Sequence, residues 1–272
     1  MSREDPQRPA MKTVIVIPAR HGSSRFPGKP MHPVRGMATL ERVWRIAKAV
    51  RHPATVLIAT EDTRIVDFAA GFGADAVMTS AECENGTERT FEAIRKRGLE
   101  AEIIVNLQGD ALLTPPWVLD AMIEEMTADL AADIVTPAVL LKDDALREFS
   151  EHKAASPASG TTVVFDVNRR ALYFSKKILP FVRKPGHAGI YRHIGLYGFR
   201  RDSLERYIAL PPSPLEICEG LEQLRALEHG MKIKVAIVDY RGRSHGSIDS
   251  PADVKLVEEI IAREGELLGT IT

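Results

Sequence analysis

The sequence predicts an α/β protein built around a mostly parallel central sheet. The chain has 272 residues, of which 44% are hydrophobic, and this is enough apolar side chain for a substantial buried core. Short β-branched runs such as residues 13–17 (TVIVI) alternate with segments such as residues 40–50, where apolar residues recur at helical spacing. This alternation is typical of parallel strands with helices on both faces of the sheet. The length fits one large domain or two small ones.

The alternation of strand and helix recurs four times in the amino-terminal half. The four expected units are residues 13–17 with 40–50, 55–59 with 62–72, 76–78 with 87–96, and 103–107 with 116–126. Asp62 is a suitable N-cap for the second helix, because its side chain can accept a backbone N–H of the first turn. Pro115 and Pro116 suit the start of the fourth helix, since a proline there loses no helical hydrogen bond.

After about residue 133 the pattern becomes rich in β-strands. Strands are expected, with few helices between them, at residues 134–140, 161–166, 171–174 and 192–199. Glycine, proline, serine and histidine are frequent in two segments that we expect to form mobile loops or a lid, residues 152–160 and 183–189. The chain then returns to a helix, a strand and a final helix, expected at residues 219–228, 232–238 and 251–262.

The bulk composition argues against two classes of partner. Lysine plus arginine (36) nearly balances aspartate plus glutamate (37), so no overall positive field attracts nucleic acid or an anionic membrane. Cys83 and Cys218 lie far apart in no metal-ligand spacing, which fits a reducing cytosol. Residues 1–10 lack the apolar core of a signal peptide, and no run of roughly 18 apolar residues occurs. We therefore expect a soluble cytoplasmic protein whose anion sites are local.

A basic loop, residues 18–30 (PARHGSSRFPGKP), follows the first strand. Ligands usually bind an open parallel sheet at the carboxyl ends of its strands. Arginine and lysine could neutralise a triphosphate there, while serine hydroxyls and flexible backbone could bind its oxygens. Neither GxxxxGKS/T nor GxGxxG is present, and a solvated basic turn is the alternative interpretation. The candidate residues are Arg20, Ser23, Ser24, Arg25 and Lys29.

Two acidic residues are candidate metal ligands. Asp110 ends an apolar strand in the motif NLQGD, where a carboxylate could hold Mg²⁺ against phosphate oxygens. An acid that caps a turn at the strand end would give the same pattern. Asp249 in GSIDSPAD could join Asp110, because two carboxylates with phosphate oxygens and waters complete an octahedral shell. Helix capping by Asp249 or Ser250 is the alternative.

Further polar motifs could recognise a small acceptor molecule. They are GTER at residues 86–89, RHIGLYGF at 192–199 and LEQLR at 221–225. Each has a structural alternative, namely a capped helix, an alternating strand and a helix face, and a single histidine is more often structural than catalytic. Together the motifs would supply donors and acceptors for a polyhydroxylated acid through Arg89, His193, Tyr197, Glu222 and Gln223.

These motifs, together with ALYFS and PSPLE, occur in an order that resembles the 3-deoxy-manno-octulosonate cytidylyltransferases, the CMP-Kdo synthetases, over residues 12–264. The resemblance implies a single Rossmann-like nucleotidyltransferase domain, residues 12–265, between a disordered tail (1–11) and a C-terminal tail (266–272). Residues 134–200 would form a β-rich insertion that serves homodimerisation. The implied reaction, a step of lipopolysaccharide biosynthesis, uses Mg²⁺ and CTP: the anomeric hydroxyl of a 2-keto sugar acid attacks the α-phosphorus, and pyrophosphate leaves.

The resemblance also assigns roles to the residues that match the family's motifs. Catalysis would depend on Arg20, Lys29 and Asp110, and the metal ion on Asp110 and Asp249. The nucleotide would be bound by Arg20, Ser23, Ser24, Arg25, Lys29, Arg89 and Gln108. The sugar acid would be bound by Gln108, Lys176, His193, Tyr197, Glu222 and Gln223.

The chain departs from the family pattern at three places. The family's QGDEP is QGDAL here, with Ala111 and Leu112 in place of an acid and a proline. Lys176 replaces an arginine after ALYFS, and lysine cannot reproduce a bidentate guanidinium contact with a carboxylate. Thr162 replaces a lysine. Three alternatives therefore stay open: CMP transfer to another acid, such as an amino-sugar ulosonic acid or a phosphonate; a metal-dependent glycosyltransferase; and a non-catalytic binding protein.

Overall fold

The computed structural model describes residues 11–22, 26–184, 186, 189–248 and 250–268. The strands are β1 (Thr13–Pro18), β2 (Pro33–Val34), β3 (Met37–Ala38), β4 (Ala54–Thr60), β5 (Ala76–Met78), β6 (Ile103–Asn106), β7 (Ile134–Leu141), β8 (Thr162–Phe165), β9 (Ala171–Ser175), β10 (Ile190–His193), β11 (Tyr197–Arg200) and β12 (Ile233–Ile237). The helices are α1 (Thr39–Lys48), α2 (Thr63–Ala70), α3 (Gly86–Arg97), α4 (Pro116–Ala128), α5 (Asp143–Ala155), α6 (Arg201–Ile208), α7 (Pro214–Glu219), α8 (Gln223–Glu228) and α9 (Pro251–Glu264). Within the described ranges, no helix is long and apolar enough to cross a membrane.

The central sheet is mixed, and its parallel part lies in the amino-terminal half of the chain. The strand order is β5-β4-β1-β6-β11-β7-β10-β8-β9, and β12 also pairs with β7. β5, β4, β1 and β6 are parallel neighbours, whereas β10 and β11 both run antiparallel to β7. β2 and β3 form a separate two-stranded sheet. The predicted α/β class, with its parallel central strands, is confirmed.

The carboxyl ends of β1, β4 and β6 meet at one edge of the sheet. The pairing places Pro18 beside Ala59 and Val16 beside Asn106. β1 is buried along its whole length, with Ile15 in the hydrophobic core on one face of the sheet and Val16 in the core on the other. A strand that is covered on both faces has a continuous apolar sequence. The loops that follow these three strands therefore share one end of the sheet.

The helix predicted at residues 40–50 shows how the apolar spacing produces the packing. Leu40, Val43, Ile46 and Ala47 lie on one side of α1 and are all fully buried against the sheet. A buried leucine, valine or isoleucine side chain contributes about 1.5–3 kcal/mol to stability. The helix is therefore held mainly by this face.

Three predicted helix starts are also confirmed. The Asp62 carboxylate accepts the backbone N–H of Arg64 at 2.9 Å at the start of α2. Pro116 is the first residue of α4. Ser250 caps α9 and forms a capping box with Asp253.

The single strand expected at residues 192–199 is wrong, because this segment contains two strands. β10 and β11 follow one another along the same side of β7, both antiparallel to it, while β12 pairs with the other side. The register shifts by two residues between His193, which pairs with Ala138, and Gly198, which pairs with Val135, so residues 194–196 form a bulge. The rings of His193 and Tyr197, at the two ends of this bulge, have their centroids 5.9 Å apart.

One helix, α5, lies among the described residues between β7 and β11, which agrees with the expectation of few helices there, although its position was not predicted. α5 includes the first part of the segment 152–160 that was expected to be a loop. Phe149 and Lys153 are its buried residues, so its sequence lacks the wide apolar stripe that marks most surface helices. The Lys153 ammonium donates to the carbonyls of Pro157 and Ser159, each at 2.6 Å, which ties the following turn to the helix.

The helix expected at residues 219–228 is divided into α7 and α8. Gly220 follows α7 with a φ of 63°. This left-handed conformation favours glycine and commonly ends a helix. Glu222 therefore lies in the break between two helices and not on the face of one.

Candidate active site

The loops after β1 and β6 and the start of α3 are in direct contact at the carboxyl edge of the sheet. A Cβ atom placed on Gly109 would lie 2.6 Å from the carbonyl oxygen of Pro18. A Cβ atom on Gly86 would lie 3.1 Å from Pro18 Cγ and 3.2 Å from Gln108 Nε2. Glycine is needed at residue 109 because the two backbones approach each other so closely.

Lys29 and Asp110 form an ion pair at this edge. Lys29 Nζ donates to Asp110 Oδ2 at 2.6 Å and to the carbonyl oxygen of Ile248 at 2.8 Å. The side chains are 16% and 25% exposed, respectively. Gly28, just before Lys29, has a φ of 73°, a conformation that suits glycine. The structure thus brings together two predicted catalytic residues from loops 81 positions apart.

The rest of the basic loop can be placed only in part. Arg20 is exposed at the end of β1. The backbone N–H of Gly28 donates to the carbonyl of His21 at 3.0 Å, which closes the loop at its neck. The predicted residues Ser23, Ser24 and Arg25 lie outside the described residues, as does the predicted metal ligand Asp249.

The surroundings of Lys29 fit the oxygen donors that a hard divalent cation requires. The ammonium lies between a carboxylate oxygen of Asp110 and the carbonyl oxygen of Ile248, so this point already accommodates positive charge. Mg²⁺ typically uses one or two carboxylates and completes its shell with phosphate oxygens and water. Among the described residues no group of three or more His, Cys, Asp or Glu side chains could hold a metal ion.

Arg89 is a deeply buried cation beside the basic loop. Its side chain is 1% exposed. Nη1 donates to Thr79 Oγ1 at 2.5 Å and lies 3.0 Å from Glu61 Oε2. Nη2 has no hydrogen-bond partner among the described residues. A buried donor without a partner costs about 1–3 kcal/mol, so Arg89 is a candidate donor to a ligand.

An open cleft of about 570 Å³ lies between the start of α3 and the α7–α8 segment. Tyr197, Glu222 and Gln223 line it. The Tyr197 hydroxyl donates to Gln223 Oε1 at 2.9 Å, and Gln223 Nε2 is buried without a partner in the described part of the chain. Three predicted acceptor-binding residues are therefore grouped, and one of them retains a free donor for a ligand.

A chain of hydrogen bonds connects this cleft to β6. The amide of Asn106 donates to Thr87 Oγ1 at 3.1 Å, and the Thr87 hydroxyl donates to Glu222 Oε2 at 3.0 Å. Gln108 Nε2 donates to Asn106 Oδ1 at 3.4 Å. Burial raises the pKa of the Glu222 carboxyl above its ordinary value, and the hydrogen bond from Thr87 opposes that rise.

His193 is buried and neutral at pH 7. Its pKa is lowered to about 3, chiefly by burial and further by the charge of Lys176. His193 Nε2 lies 2.7 Å from Thr136 Oγ1, and that hydroxyl donates to the carbonyl of Leu196 at 2.8 Å. A hydroxyl has one hydrogen, so Nε2 must carry the imidazole proton and Nδ1 is left as an acceptor. His193 therefore offers a neutral acceptor and not a positive charge.

The three departures from the family pattern have different surroundings. Ala111 and Leu112 are buried, and both belong to the core beneath the site. The Thr162 hydroxyl donates to the carbonyl of Lys177 at 2.6 Å, so it serves the backbone. The backbone N–H of Lys176 donates to Glu219 Oε2 at 2.8 Å. Of these positions, Lys176 alone remains a candidate contact for a substrate acid.

Sequence reasoning missed several polar residues that hold the site together. Glu61 directly follows β4, Asn106 is the last residue of β6, and Thr87 lies within the GTER motif. Their signal was a polar residue at the carboxyl end of a strand or the start of a helix, which turns and caps also produce. Thr136 and Glu219 gave no signal, because one lies inside an apolar strand and the other ends a short helix.

The paired loops and polar cleft define a nucleotide-binding α/β enzyme that joins its ligand to a small polar acceptor. A family model described as cytidylyltransferase matches residues 14–233, and the chain belongs to this family of nucleotidyltransferases. Enzymes of the family are in general divalent-metal dependent.

Two named relatives indicate a narrower group within this family. It is 51% identical over 259 residues to the 3-deoxy-manno-octulosonate cytidylyltransferase of Maricaulis maris, covering 95% of this chain and 100% of the relative. It is 41% identical over 256 residues to the enzyme of that name from Chlamydia pneumoniae, covering 94% of this chain and 96% of the relative. The family resemblance predicted from the motifs is confirmed.

Two solved structures are similar to this fold. One is a CMP:2-keto-3-deoxy-manno-octonic acid synthetase complexed with CTP, with a TM-score of 0.83 and 35% identity, covering 93% of this chain and 99% of that one. The other is a cytidylyltransferase from Leptospira borgpetersenii, with a TM-score of 0.59 and 17% identity, covering 96% of this chain and 98% of that one. The second likeness concerns the fold alone.

Proposed function

We propose that the chain transfers CMP from CTP to the anomeric hydroxyl of Kdo and releases pyrophosphate. The observation that carries this proposal is the Lys29–Asp110 pair at the carboxyl edge of the sheet, in a chain 51% identical to a 3-deoxy-manno-octulosonate cytidylyltransferase. The cleft that contains Tyr197, Glu222 and Gln223 offers the acceptor side of the same reaction. Nucleotidyl transfer mainly requires alignment of the two reactants and compensation of charge. The Lys29–Asp110 pair would compensate charge, and the cleft would align the acceptor.

The basic loop and its neighbours would bind the nucleotide. The triphosphate contacts would come from Arg20, Ser23, Ser24, Arg25 and Lys29. Arg89, whose Nη2 has no hydrogen-bond partner in the described part of the chain, and Gln108 would contact the rest of the nucleotide. As the bond between the α-phosphorus and the bridging oxygen breaks, the Lys29 ammonium would offset the negative charge that develops on pyrophosphate.

The acceptor would be held by both neutral and charged groups. Gln223 Nε2, which has no hydrogen-bond partner among the described residues, would donate, while Glu222 and His193 Nδ1 would accept hydrogen bonds from hydroxyls. Lys176 would face the carboxylate, and its positive charge also acts on His193. These contacts would hold the anomeric hydroxyl in line with the α-phosphorus, and the hydroxyl would release its proton to solvent as the new oxygen–phosphorus bond forms.

The metal ion in this proposal is Mg²⁺. Asp110 and Asp249 would hold it together with phosphate oxygens, which agrees with the oxygen donors found around Lys29 Nζ. When bound, it would lower the pKa of the acceptor hydroxyl and polarise the α-phosphate.

We further propose a cytoplasmic homodimer that pairs through the β-rich region. Two observations support the pairing: β9 lies at the end of the sheet, and large apolar side chains are exposed in the segment around it, with Leu172 63% and Phe181 88% exposed. Exposed apolar groups beside an open strand edge are typical of an interface. Light scattering of Phe181→Glu would then show a shift toward monomer, and an unchanged mass would argue against this surface.

The reaction can be tested by following pyrophosphate release from CTP and Mg²⁺ with a panel of acids. The panel contains Kdo, an amino-sugar ulosonic acid and a phosphonate, and UTP replaces CTP in a parallel series. We expect Kdo with CTP to give the highest kcat/KM. Turnover with another acid but none with Kdo would reassign the acceptor. Release of a nucleoside diphosphate from a nucleotide sugar would instead indicate a glycosyltransferase.

A further inference from the structure

The Glu61 carboxylate connects two parts of the nucleotide site that are far apart in sequence. Glu61 follows β4 directly and its side chain is 17% exposed. Its Oε1 accepts the backbone N–H of His21 at 3.2 Å, and its Oε2 lies 3.0 Å from Arg89 Nη1. One carboxylate thus contacts both the basic loop and helix α3.

The contact with His21 controls the neck of the basic loop. The carbonyl of the same residue accepts the backbone N–H of Gly28 at 3.0 Å. Asp62 Oδ2 lies 4.0 Å from His21 Nδ1, so the segment after β4 faces both the backbone and the side chain of this residue. A shift of Glu61 would therefore move His21 and, through its carbonyl, Gly28, which directly precedes Lys29.

The contact with Arg89 is close but incomplete. Although the two charged atoms are 3.0 Å apart, Glu61 Oε2 and Arg89 Nη2 both lack a hydrogen bond among the described groups. Nη1 is already directed at Thr79 Oγ1. A small rotation of the Arg89 guanidinium by a ligand would change how Glu61 is held. The free chain therefore contains a pair that ligand binding can complete.

We propose that Glu61 is a positioning residue that couples binding at Arg89 to the position of Gly28 and Lys29, and so to phosphate binding at Lys29. This inference rests on the proposed function, since it assumes that one CTP molecule contacts both places. Coupling through a shared carboxylate is reciprocal. A ligand at Arg89 should strengthen phosphate binding by the loop, and phosphate should strengthen binding at Arg89. The chain would then favour the intact nucleoside triphosphate over either of its parts.

The test measures cytidine binding by calorimetry in Mg²⁺, with and without saturating tripolyphosphate. We expect tripolyphosphate to tighten cytidine binding roughly tenfold in the wild-type chain, within the usual range of coupling. Glu61→Ala should abolish this gain. Glu61→Gln, which can still accept from His21 N but has lost its charge, should retain only part of it. Glu82→Gln, which changes an exposed glutamate nearby, should leave it unchanged.

The possible outcomes separate the two proposals. A purely structural role for Glu61 would lower the melting temperature and leave the gain from tripolyphosphate intact, and this result would overturn the inference. Absence of any gain in the wild-type chain would overturn it as well. If the wild-type chain binds neither CTP nor its parts, the proposed function itself fails. If Glu61→Ala does not fold, the nearly isosteric Glu61→Gln decides the question.

Discussion

The charged groups at the carboxyl ends of β1, β4 and β6 pair with one another, whereas Tyr197 and Gln223, in the cleft beside β11, form a neutral hydrogen bond. Lys29 contacts Asp110, and Arg89 lies beside Glu61. In the cleft, Tyr197 donates to Gln223. Ion pairs must be exchanged for ligand contacts, while the neutral hydrogen bonds can remain in place. The nucleotide half is therefore expected to rearrange on binding, and the acceptor half is largely preformed.

The largest expected effect is that of Asp110→Asn. Loss of this carboxylate removes a predicted metal ligand and the partner of Lys29, so kcat/KM should fall at least roughly a hundredfold, as is typical for a key electrostatic group. Pyrophosphate release measures it. Asp75→Asn, at an exposed aspartate that pairs with Arg97, should be nearly silent. Activity above one third of wild type in Asp110→Asn would exclude the residue from the mechanism.

His193 should make the folded chain sensitive to acid. Its pKa is about 3 in the folded chain and about 6.5 when unfolded, so below pH 6.5 the unfolded chain binds a proton that the folded chain does not. The stability contribution is full above pH 6.5 and is lost as the pH falls toward 3. Between pH 7 and pH 5 this amounts to about 2 kcal/mol.

Urea unfolding at the two pH values tests this expectation. His193→Asn should lose less stability on going from pH 7 to pH 5 than the wild-type chain, whatever its stability at pH 7. His152→Asn, on the exposed side of α5, serves as the control and should keep the wild-type difference. Equal losses in all three proteins would mean that His193 does not remain neutral in the fold.

Tyr197→Phe probes whether the acceptor half is preformed. The change leaves Gln223 Oε1 buried without its donor, which costs about 1–3 kcal/mol. We expect the KM for Kdo to rise about tenfold, with little change in the KM for CTP. Equal increases in both values would show that the two halves are not separable. Tyr191→Phe, outside the cleft, provides the control.

The smallest effect should come from Lys176→Arg. A guanidinium can bind a carboxylate with two parallel hydrogen bonds, whereas an ammonium acts as a point charge. The KM for Kdo should fall roughly threefold, because the guanidinium adds a second directed hydrogen bond to the carboxylate while the charge stays the same. Lys177→Arg is the neighbouring control. A rise in KM for Kdo would indicate that the acceptor pocket has been reshaped for a different acid.

The parts of the site that follow from parallel strands were predictable from sequence. Lys29 and Asp110 come after apolar strands, and the carboxyl ends of such strands meet at one edge. The sequence could not predict Glu61, because an acid just before the N-cap Asp62 is equally consistent with a turn. The bulge at residues 194–196 was hidden because Ile194 and Leu196 are both buried, which maintains the alternation of a single strand.

The hydrogen bonds from Asn106 through Thr87 to Glu222 have a fixed direction. Each hydroxyl has one hydrogen, so Thr87 accepts a hydrogen bond from Asn106 and donates one to Glu222. If Glu222 were replaced by a residue that donates a hydrogen bond to Thr87, the Thr87 hydroxyl could no longer donate toward position 222. Its hydrogen would then point at the amide of Asn106, and two donors would face each other. New acceptor specificity is therefore easier to evolve at Lys176 or along α7 than at Glu222, since changes there leave this polarity intact.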